Sequence, residues 1–300
     1  MLYSTRTPTQ KRRQLRDLLA APEPLVLPGA FSPLAARLIE QRGGAAVYVS
    51  GHMVAADLGL PDVGLTTATE VAQRSQQIAR VTDLPTLVDA DTGFGEPLNA
   101  ARTLQTLEDA GVAGCHIEDQ VNPKRCGHSD GVEVVDADTA VHRIRAAVSA
   151  RRDPEFLVIA RTDARGPCGL DAAIDRARAY VLAGADVVMA DALRGPEEYR
   201  EFRRAISAPL LANLNEFGAG EPLTVAEARE IGIDAVIYPM TLLRAAMGAA
   251  QRCLETVLVD GSQRAVVPEM QTKDDLYELI GYDSYAAFDE DVLGVTSVQR

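Results

Sequence analysis

The segment between Ala113 and His128, AGCHIEDQVNPKRCGH, combines residue types that could do chemistry at close range. An apolar, strand-like run ends in two acids, Glu118 and Asp119, and the loop that follows places Cys126 among cations. Nearby positive charge stabilises a thiolate, so we expect the pKa of this thiol to be lowered. A cysteine that only fills a gap in a core does not need such neighbours. The segment therefore predicts a reactive cysteine on a loop, close to a group of carboxylates.

A second acidic pair, Asp89 and Asp91 in the sequence DAD, stands at the end of another apolar run. Residues two apart on a strand point the same way, so we expect both carboxylates to face one spot. Two close carboxylates repel each other, and a cation relieves that repulsion. Hard oxygen ligands suit Mg²⁺ or Mn²⁺. The pair predicts a Mg²⁺ site, with Mn²⁺ as the other candidate, which Glu118 could join through water.

Such a metal would assist the cleavage of an organic acid. It would polarise a 2-oxo or 2-hydroxy carboxylate and stabilise the enolate left when a C–C bond breaks. Arg161 and Arg244 could hold substrate carboxylates through two nitrogens each. Cys126 could act as general acid and give a proton to the departing carbanion. His52 and His128 are loop histidines, which are often simply solvated.

The elements that must position these residues follow from a repeated pattern. Four pieces pair a helix-ending glycine with a buried apolar run, namely RGGAAVYVS, DAGVAGCHIE, LAGADVVMA and EIGIDAVIY. Glycine supplies a left-handed helix cap, and a run without alternation is typical of a strand covered on both faces. With the helical stretches between them, these runs give roughly eight βα units, typical of an α/β fold of the (β/α)8 (TIM) barrel type. An open doubly wound sheet is the structural alternative, but no GxGxxG follows the first strand.

The predicted barrel divides the whole chain into three parts. Residues 1–22 are predicted to be an N-terminal arm with a short helix, residues 23–260 a single barrel domain, and residues 261–300 a helical extension that packs on the barrel or on a neighbouring subunit. Residues 51–67 are predicted to be loop and residues 84–91 the third strand. Barrel enzymes carry their chemistry where strands end. The polar residues at the other predicted strand ends are Ser50 and Gly51, Arg161 and Asp163, Asp191, and Asn213 with Glu216.

Composition narrows the class of function. A chain of 300 residues that is 47% hydrophobic can bury one large core. Its net charge of −13 argues against nucleic acid and anionic membranes as partners. No apolar run is long enough to span a bilayer, and the N-terminus lacks the apolar region of a secretory signal. The four cysteines are scattered without a CxxC pair, which fits a reduced cytoplasm. We expect a cytoplasmic enzyme with a local positive site for an acidic substrate.

Five segments resemble the isocitrate lyase and phosphoenolpyruvate mutase superfamily, and its methylisocitrate lyase branch above all. They are LVDADTGFGE, HIEDQVNPKRCGH, ARTDA, LLANLNEFG and MQTKDDLYELI, and the similarity runs from about residue 20 to 285. The resemblance implies a (β/α)8 barrel whose last helix swaps onto a partner, a homotetramer, and Mg²⁺. It also implies a small carboxylic acid as substrate, cleaved as 2-methylisocitrate to pyruvate and succinate by a retro-aldol reaction.

Site residues follow from the same resemblance. It makes Asp89 and Asp91 the metal ligands, Cys126 the catalytic cysteine on a gating loop, and Arg161 a substrate contact; Arg161 and the strand-end acid Glu118 are our further catalytic candidates. The other implied substrate contacts are Ser50, Gly51, Gly127, Asn213 and Arg244, and Asp62 matches an acid near the metal that we also count among the substrate-binding candidates. Three substrate-pocket positions depart from the branch: His52 stands where glycine is usual, Asp191 where Glu is usual, and Asn215 where Thr is usual. In the tail, Lys273 replaces an arginine.

These departures leave the substrate open more than the reaction class. The same KRCGH loop occurs in branches that cleave 2,3-dimethylmalate or oxaloacetate and in carboxyphosphonoenolpyruvate mutase. The NEFG segment and the MQT tail favour methylisocitrate lyase over those branches. A barrel that binds an organic acid without catalysis is an alternative of another class. The intact set of Asp89, Asp91, Cys126 and Arg161 argues against it.

Overall fold

The computed structural model of this chain describes residues 4–127, 129, 131–218, 220 and 222–294, so His128 lies outside the described residues. Eight strands form one parallel sheet. They are β1 (Leu25–Pro28), β2 (Val47–Val49), β3 (Thr86–Asp89), β4 (Gly114–Glu118), β5 (Leu157–Thr162), β6 (Val187–Ala190), β7 (Leu210–Asn213) and β8 (Ala235–Tyr238). The order is β1-β8-β7-β6-β5-β4-β3-β2, and a parallel bridge from Gly29 to Tyr48 joins the two ends. The prediction of a (β/α)8 barrel is confirmed, and the open sheet is wrong.

Helices follow the strands around the outside of this barrel. They are α1 (Pro8–Leu19), α2 (Pro33–Gln41), α3 (Gly51–Asp57), α4 (Ala68–Ala79), α5 (Pro97–Asp109), α6 (Ala137–Ala150), α7 (Arg165–Cys168), α8 (Leu170–Leu182), α9 (Pro196–Ala205), α10 (Val225–Ile231), α11 (Thr241–Asp260), α12 (Lys273–Ile280) and α13 (Tyr282–Leu293). Many begin at a side-chain cap, as at Thr67, whose hydroxyl accepts from the backbone N–H of Glu70 while Glu70 reaches back to Thr67. Such reciprocal capping satisfies helix N–H groups that have no partner within the helix.

Helix α1, in the N-terminal arm, covers the end of the barrel at which the strands begin. Leu15 of α1 is 1% exposed and packs against Leu27, Leu87 and Leu157 of the strands. The Lys11 ammonium, also buried, donates to the backbone carbonyls of residues 79 and 82 at 2.6 Å each. Because this end is filled with apolar side chains, a polar site has room only at the opposite end, where the strands terminate.

Two local expectations are wrong, each for a physical reason. Residues 51–67 are not all loop, because Ser50 caps α3, whose Met53 and Val54 are buried against the core. The third strand ends at Asp89, since Asp91 turns into the left-handed region with a φ of 45°. The predicted helical extension contains two helices, α12 and α13, and no residue of α13 is buried.

Two of the last three helices show little burial on this chain. Helix α12 packs on α2, where Leu279 is buried and the Arg37 guanidinium donates to its carbonyl at 3.4 Å. Helix α11 has no buried residue and exposes Leu254, Val257 and Leu258. Exchange of a helix between subunits stays a prediction. Among the described residues, no helix is both long enough and apolar enough to cross a bilayer.

Candidate active site

The aspartate pair predicted at the end of the third strand does converge, by a route other than strand alternation. The Asp91 backbone N–H donates to Asp89 Oδ1 at 3.0 Å, and the Gly51 N–H donates to Asp89 Oδ2 at 3.0 Å. A Cβ on Gly51 would lie 2.8 Å from Asp91 Oδ1 and 3.0 Å from Asp89 Oδ2. Both carboxylates therefore face the glycine that follows β2. Glycine leaves the space in front of them open.

The charges around this pair separate the two acids. Burial alone would raise both pKa values, but the positive charges of Lys124, of Arg161 and, at low pH where it is protonated, of His116 bring the pKa of Asp89 down to about 2. Burial dominates at Asp91, where the negative charge of Asp89 adds to it and the pKa rises to about 6. One acid is firmly ionised, and its neighbour holds its proton more tightly than an exposed aspartate does.

Lys124 is the main site residue that sequence reasoning missed. Its Nζ lies 2.9 Å from Asp91 Oδ1 and 2.5 Å from Asp62 Oδ1, and the side chain is buried. The surrounding acids, chiefly Asp91 and Glu118, outweigh burial and raise the pKa of this ammonium well above its ordinary value. In the sequence, Lys124 stands two residues before Cys126, and we expected its charge to stabilise the thiolate. In the fold, it neutralises the acids instead.

A tyrosine and a histidine inside the barrel support Asp89. The Tyr48 hydroxyl and His116 Nε2 are 2.8 Å apart, and His116 Nδ1 lies 3.6 Å from Asp89 Oδ1. Burial lowers the pKa of His116 to about 4, so the ring is neutral near pH 7. Both residues sit within apolar strand runs and gave no separate signal. Only the pairing of β2, β3 and β4 brings them together.

Glu118 is a buried carboxylate with unused oxygens. It is 2% exposed, and neither Oε1 nor Oε2 has a hydrogen-bond partner among the described residues. Asp91 Oδ1 likewise accepts no well-directed hydrogen bond there, although Lys124 lies close. Buried polar atoms without partners are uncommon and often mark a site for an ion or water. A set of hard carboxylate oxygens with spare acceptor capacity fits Mg²⁺ or Mn²⁺.

Arg161 lies at the centre of a second group of acids. Its Nε and Nη2 donate to the two oxygens of Asp163 at 2.9 and 2.7 Å, and Nη2 also donates to Asp191 at 2.6 Å. Glu118 Oε2 lies 3.3 Å from Nε. The two-nitrogen grip that was predicted for a substrate carboxylate is thus made on Asp163. Asn213 donates to the other oxygen of Asp191 at 3.1 Å.

The loop after β4 covers both groups. A Cβ on Gly127 would lie 2.4 Å from Asp163 Oδ1, 2.4 Å from Asp191 Oδ2 and 2.5 Å from Arg161 Nη2. The loop is therefore seated directly on the Arg161 group. The cavity left beneath it is about 30 Å³, which holds about two water molecules. A branched carboxylic acid does not fit such a space, so the loop must lift to admit one.

Most of the remaining predicted residues lie at this mouth. The cavity lining includes Ser50, His52, Asp62, Asp89, Cys126, Gly127, Arg161, Asp191, Asn213 and Asn215. Arg244, in the first turn of α11, is not among the lining residues; it donates to Glu216 at 2.6 Å and to the lining residue Asn215 at 3.2 Å. Asp119 points away from the mouth and accepts from Thr162 and Tyr180, so this strand-end acid is structural.

The comparisons with known proteins fit this site. A family model described as phosphoenolpyruvate phosphomutase matches residues 15–258. The chain belongs to the phosphoenolpyruvate mutase/isocitrate lyase superfamily. A relative from Corynebacterium glutamicum, named probable 2-methylisocitrate lyase 2, is 59% identical over 97% of this chain and 95% of its own length. The predicted family is confirmed, as is an enzyme of the carbon–carbon lyase type similar to methylisocitrate lyases.

Solved structures of the superfamily share the whole fold. A 2,3-dimethylmalate lyase has a TM-score of 0.89 and 35% identity, with 96% of each chain covered. A phosphonopyruvate hydrolase complex with oxalate and Mg²⁺ has a TM-score of 0.86 and 28% identity, over 96% of this chain and 100% of that one. A divalent metal is thus found within the superfamily, in a protein that also binds a small dicarboxylate.

Proposed function

We propose that this enzyme cleaves 2-methylisocitrate to pyruvate and succinate. The observation that carries the proposal is a single closed mouth that unites the buried Asp89–Asp91 pair, the Arg161 group and the Cys126 loop. The Corynebacterium relative named for this reaction, at 59% identity over nearly the full length, supports the substrate.

We assign the metal to Asp89 and Asp91, with Mg²⁺ as the ion and Mn²⁺ as the alternative. The oxygens of Glu118, which have no hydrogen-bond partner among the described residues, and the carboxylate oxygens of the pair itself favour a hard cation. When bound, such an ion polarises the oxygens of the substrate and stabilises the negative charge that develops as the C–C bond breaks.

The protein's own groups divide the remaining work. The substrate's 2-hydroxyl loses its proton, the bond between carbons 2 and 3 breaks, and the electron pair stays on the succinate fragment. Glu118 is the proposed acceptor of the hydroxyl proton, because burial raises its pKa while Arg161 and Lys124 favour its ionised form. The Cys126 thiol is the proposed donor that protonates the succinate carbanion. Arg161 and Asn213 would orient the substrate carboxylates, and the closed loop would exclude water.

A panel of acids tests the substrate. Purified enzyme with Mg²⁺ and a reductant is given 2-methylisocitrate, isocitrate and 2,3-dimethylmalate, and release of the keto acid is followed with lactate dehydrogenase. Because that coupling enzyme also reduces glyoxylate, phenylhydrazone derivatives identify the keto acid. We expect the highest kcat/KM with 2-methylisocitrate, and no turnover on any acid would exclude the lyase. Cys126→Ser should lower kcat by at least ~100-fold, the lower end for a general acid, whereas Cys168→Ser on the exposed α7 should not change it.

His52 and Asp191 keep 2,3-dimethylmalate as the second candidate substrate. Both residues line the cavity, and both depart from the methylisocitrate lyase pattern. The close structural match to a 2,3-dimethylmalate lyase supports this alternative. A higher kcat/KM on 2,3-dimethylmalate in the panel would select it over the first proposal.

We also propose that the chain forms a homotetramer. Helix α11 exposes Leu254, Val257 and Leu258, and α13 exposes Phe288 and Val292. Apolar side chains at this density are typical of surfaces that other subunits cover. Light scattering of the full chain tests the state, and a monomer at micromolar concentration would exclude it.

A further inference from the structure

Three residues from separate segments converge at the rim of the mouth. His52 lies in the first turn of α3, Asp62 in the loop after α3, and Cys126 in the loop after β4. One ligand atom from each lies within 4.8 Å of the other two. The three form a mixed nitrogen, oxygen and sulfur cluster, which is chemically different from the all-oxygen pair of Asp89 and Asp91.

The cluster is open to ligands and only partly satisfied. His52 Nδ1 lies 3.7 Å from Asp62 Oδ2, which is too long for a hydrogen bond. Lys124 holds Asp62 through the other oxygen, Oδ1, at 2.5 Å. Because Lys124 fixes that carboxylate, Oδ2 is presented toward the imidazole. The His52 side chain is 33% exposed, so an ion can reach the cluster from solvent.

The distances suit a tetrahedral ion. Zinc binds imidazole nitrogen and carboxylate oxygen at about 2.1 Å, so two such ligands of a tetrahedral ion lie ~3.4 Å apart. The observed 3.7 Å between His52 and Asp62 is close to that separation. The thiol has to move by about 1 Å at most to reach the corresponding distance, and Cys126 lies on a loop that must move in any case.

We propose that His52, Asp62 and Cys126 form a binding site for Zn²⁺ or a similarly soft divalent cation. Three protein ligands would leave the fourth position to water, the pattern of open zinc sites. Thiolate and imidazole favour Zn²⁺, whereas carboxylate oxygens favour Mg²⁺, so ligand softness separates this site from the aspartate pair. Binding displaces the thiol proton to solvent and leaves Cys126 coordinated as thiolate.

One consequence rests on the proposed function. A coordinated thiolate has no proton to give, so Zn²⁺ at this site would stop the step assigned to Cys126. Zinc is then a reversible inhibitor that a chelator removes. The binding itself does not depend on which acid the enzyme cleaves, and it can be measured without substrate.

Cobalt provides the direct test. The reduced, full-length protein, with excess Mg²⁺ to fill oxygen sites, is titrated with Co²⁺ as a spectroscopic substitute for Zn²⁺. We expect one equivalent to produce a sulfur-to-cobalt charge-transfer band, which Zn²⁺ then abolishes. Cys126→Ser should lose the band, and His52→Gly should weaken Zn²⁺ binding at least tenfold in competition with a chromophoric chelator. The matched control is the Cys168→Ser, Cys253→Ser double variant, which should retain both the band and the affinity.

Each outcome either supports or overturns the proposed metal site. A band that survives Cys126→Ser, a Zn²⁺ affinity unchanged by His52→Gly, or no band in the parent protein would each overturn the site. Far-ultraviolet circular dichroism of every variant shows that the fold persists. If cobalt binds as expected but no acid in the panel is cleaved, the metal site stands and the proposed lyase function fails. If turnover occurs without cobalt binding, the reverse holds.

Discussion

Replacing Lys124 with methionine should tighten the binding of Mg²⁺. The Lys124 ammonium is held between Asp62 and Asp91, 2.9 Å from the oxygen of a proposed metal ligand. A divalent ion that binds Asp91 must compete with this tethered cation or accept its repulsion. Methionine keeps a similar length and shape and removes the charge.

The magnitude follows from the ion pair. Two unit charges 2.9 Å apart attract by about 6 kcal/mol at an effective dielectric constant of 20. Desolvation of the buried ions offsets several kcal/mol of this attraction. A net effect of about 1.5–3 kcal/mol remains, which corresponds to a Kd for Mg²⁺ roughly 10- to 100-fold lower in the variant.

Protonation of Asp91 could hide part of this gain. Lys124 lowers the pKa of Asp91, which is about 6 in its presence, so its removal raises that pKa further. Calorimetric titration with Mg²⁺ is therefore best done near pH 8.5, where the acid is ionised in both proteins. Thermal unfolding gives a second measure, because the metal-free variant should have a lower Tm and gain more from Mg²⁺.

Two matched controls complete the comparison. Lys124→Arg keeps the positive charge and should bind Mg²⁺ about as weakly as the parent. Lys273→Met removes a charge from α12 and should change nothing. If Lys124→Met binds Mg²⁺ as weakly as the parent or more weakly, the ammonium assists the metal instead of competing with it, and the reasoning is refuted.

Three further predictions follow from single features of the site and core. Gly127→Ala should abolish turnover while leaving Tm near that of the parent, because the added methyl prevents only the closed position of the loop. A variant with the kcat of the parent would contradict the contact between Gly127 and the Arg161 group. The apparent Kd for Mg²⁺ should rise by up to ~10-fold per pH unit below pH 6 and level off above it, since a proton on Asp91 competes with the ion. Calorimetry that shows the same affinity from about pH 5 to 7.5 would exclude this competition. Leu15→Ala should cost about 2–5 kcal/mol in the free energy of unfolding, measured in urea against the control Leu98→Ala on the exposed face of α5, and equal losses would contradict the packing of α1 in the barrel.

The sequence supplied the fold because its strongest signals are local. The four pieces RGGAAVYVS, DAGVAGCHIE, LAGADVVMA and EIGIDAVIY contain the strands β2, β4, β6 and β8, since glycine caps and apolar runs mark them directly. Helix α3 was missed because its start, Ser50-Gly51, also reads as a small-residue loop. Its helical form depends on burying Met53 against the core.

The sequence predicted which residues form the site, but it did not predict which of them contact each other. Asp89, Cys126 and Arg161 were found because acids, a thiol and a guanidinium at strand ends stand out in a sequence. That Arg161 grips Asp163, or that Lys124 neutralises Asp91, depends on which side chains face each other across strands and loops. Such pairings are set by tertiary packing and leave no periodic trace.

The loop after β4 joins the parts of the site through three neighbouring residues. Lys124 reaches the aspartates, Cys126 meets the His52–Asp62 pair, and Gly127 rests on the Arg161 group. We expect one lifting motion to separate all three, and one closure to restore them. If Lys124 leaves Asp91 in that motion, opening frees the metal ligands and admits the substrate together. The metal affinity of the enzyme and the position of its loop are then linked, and whatever holds the loop open should also tighten Mg²⁺.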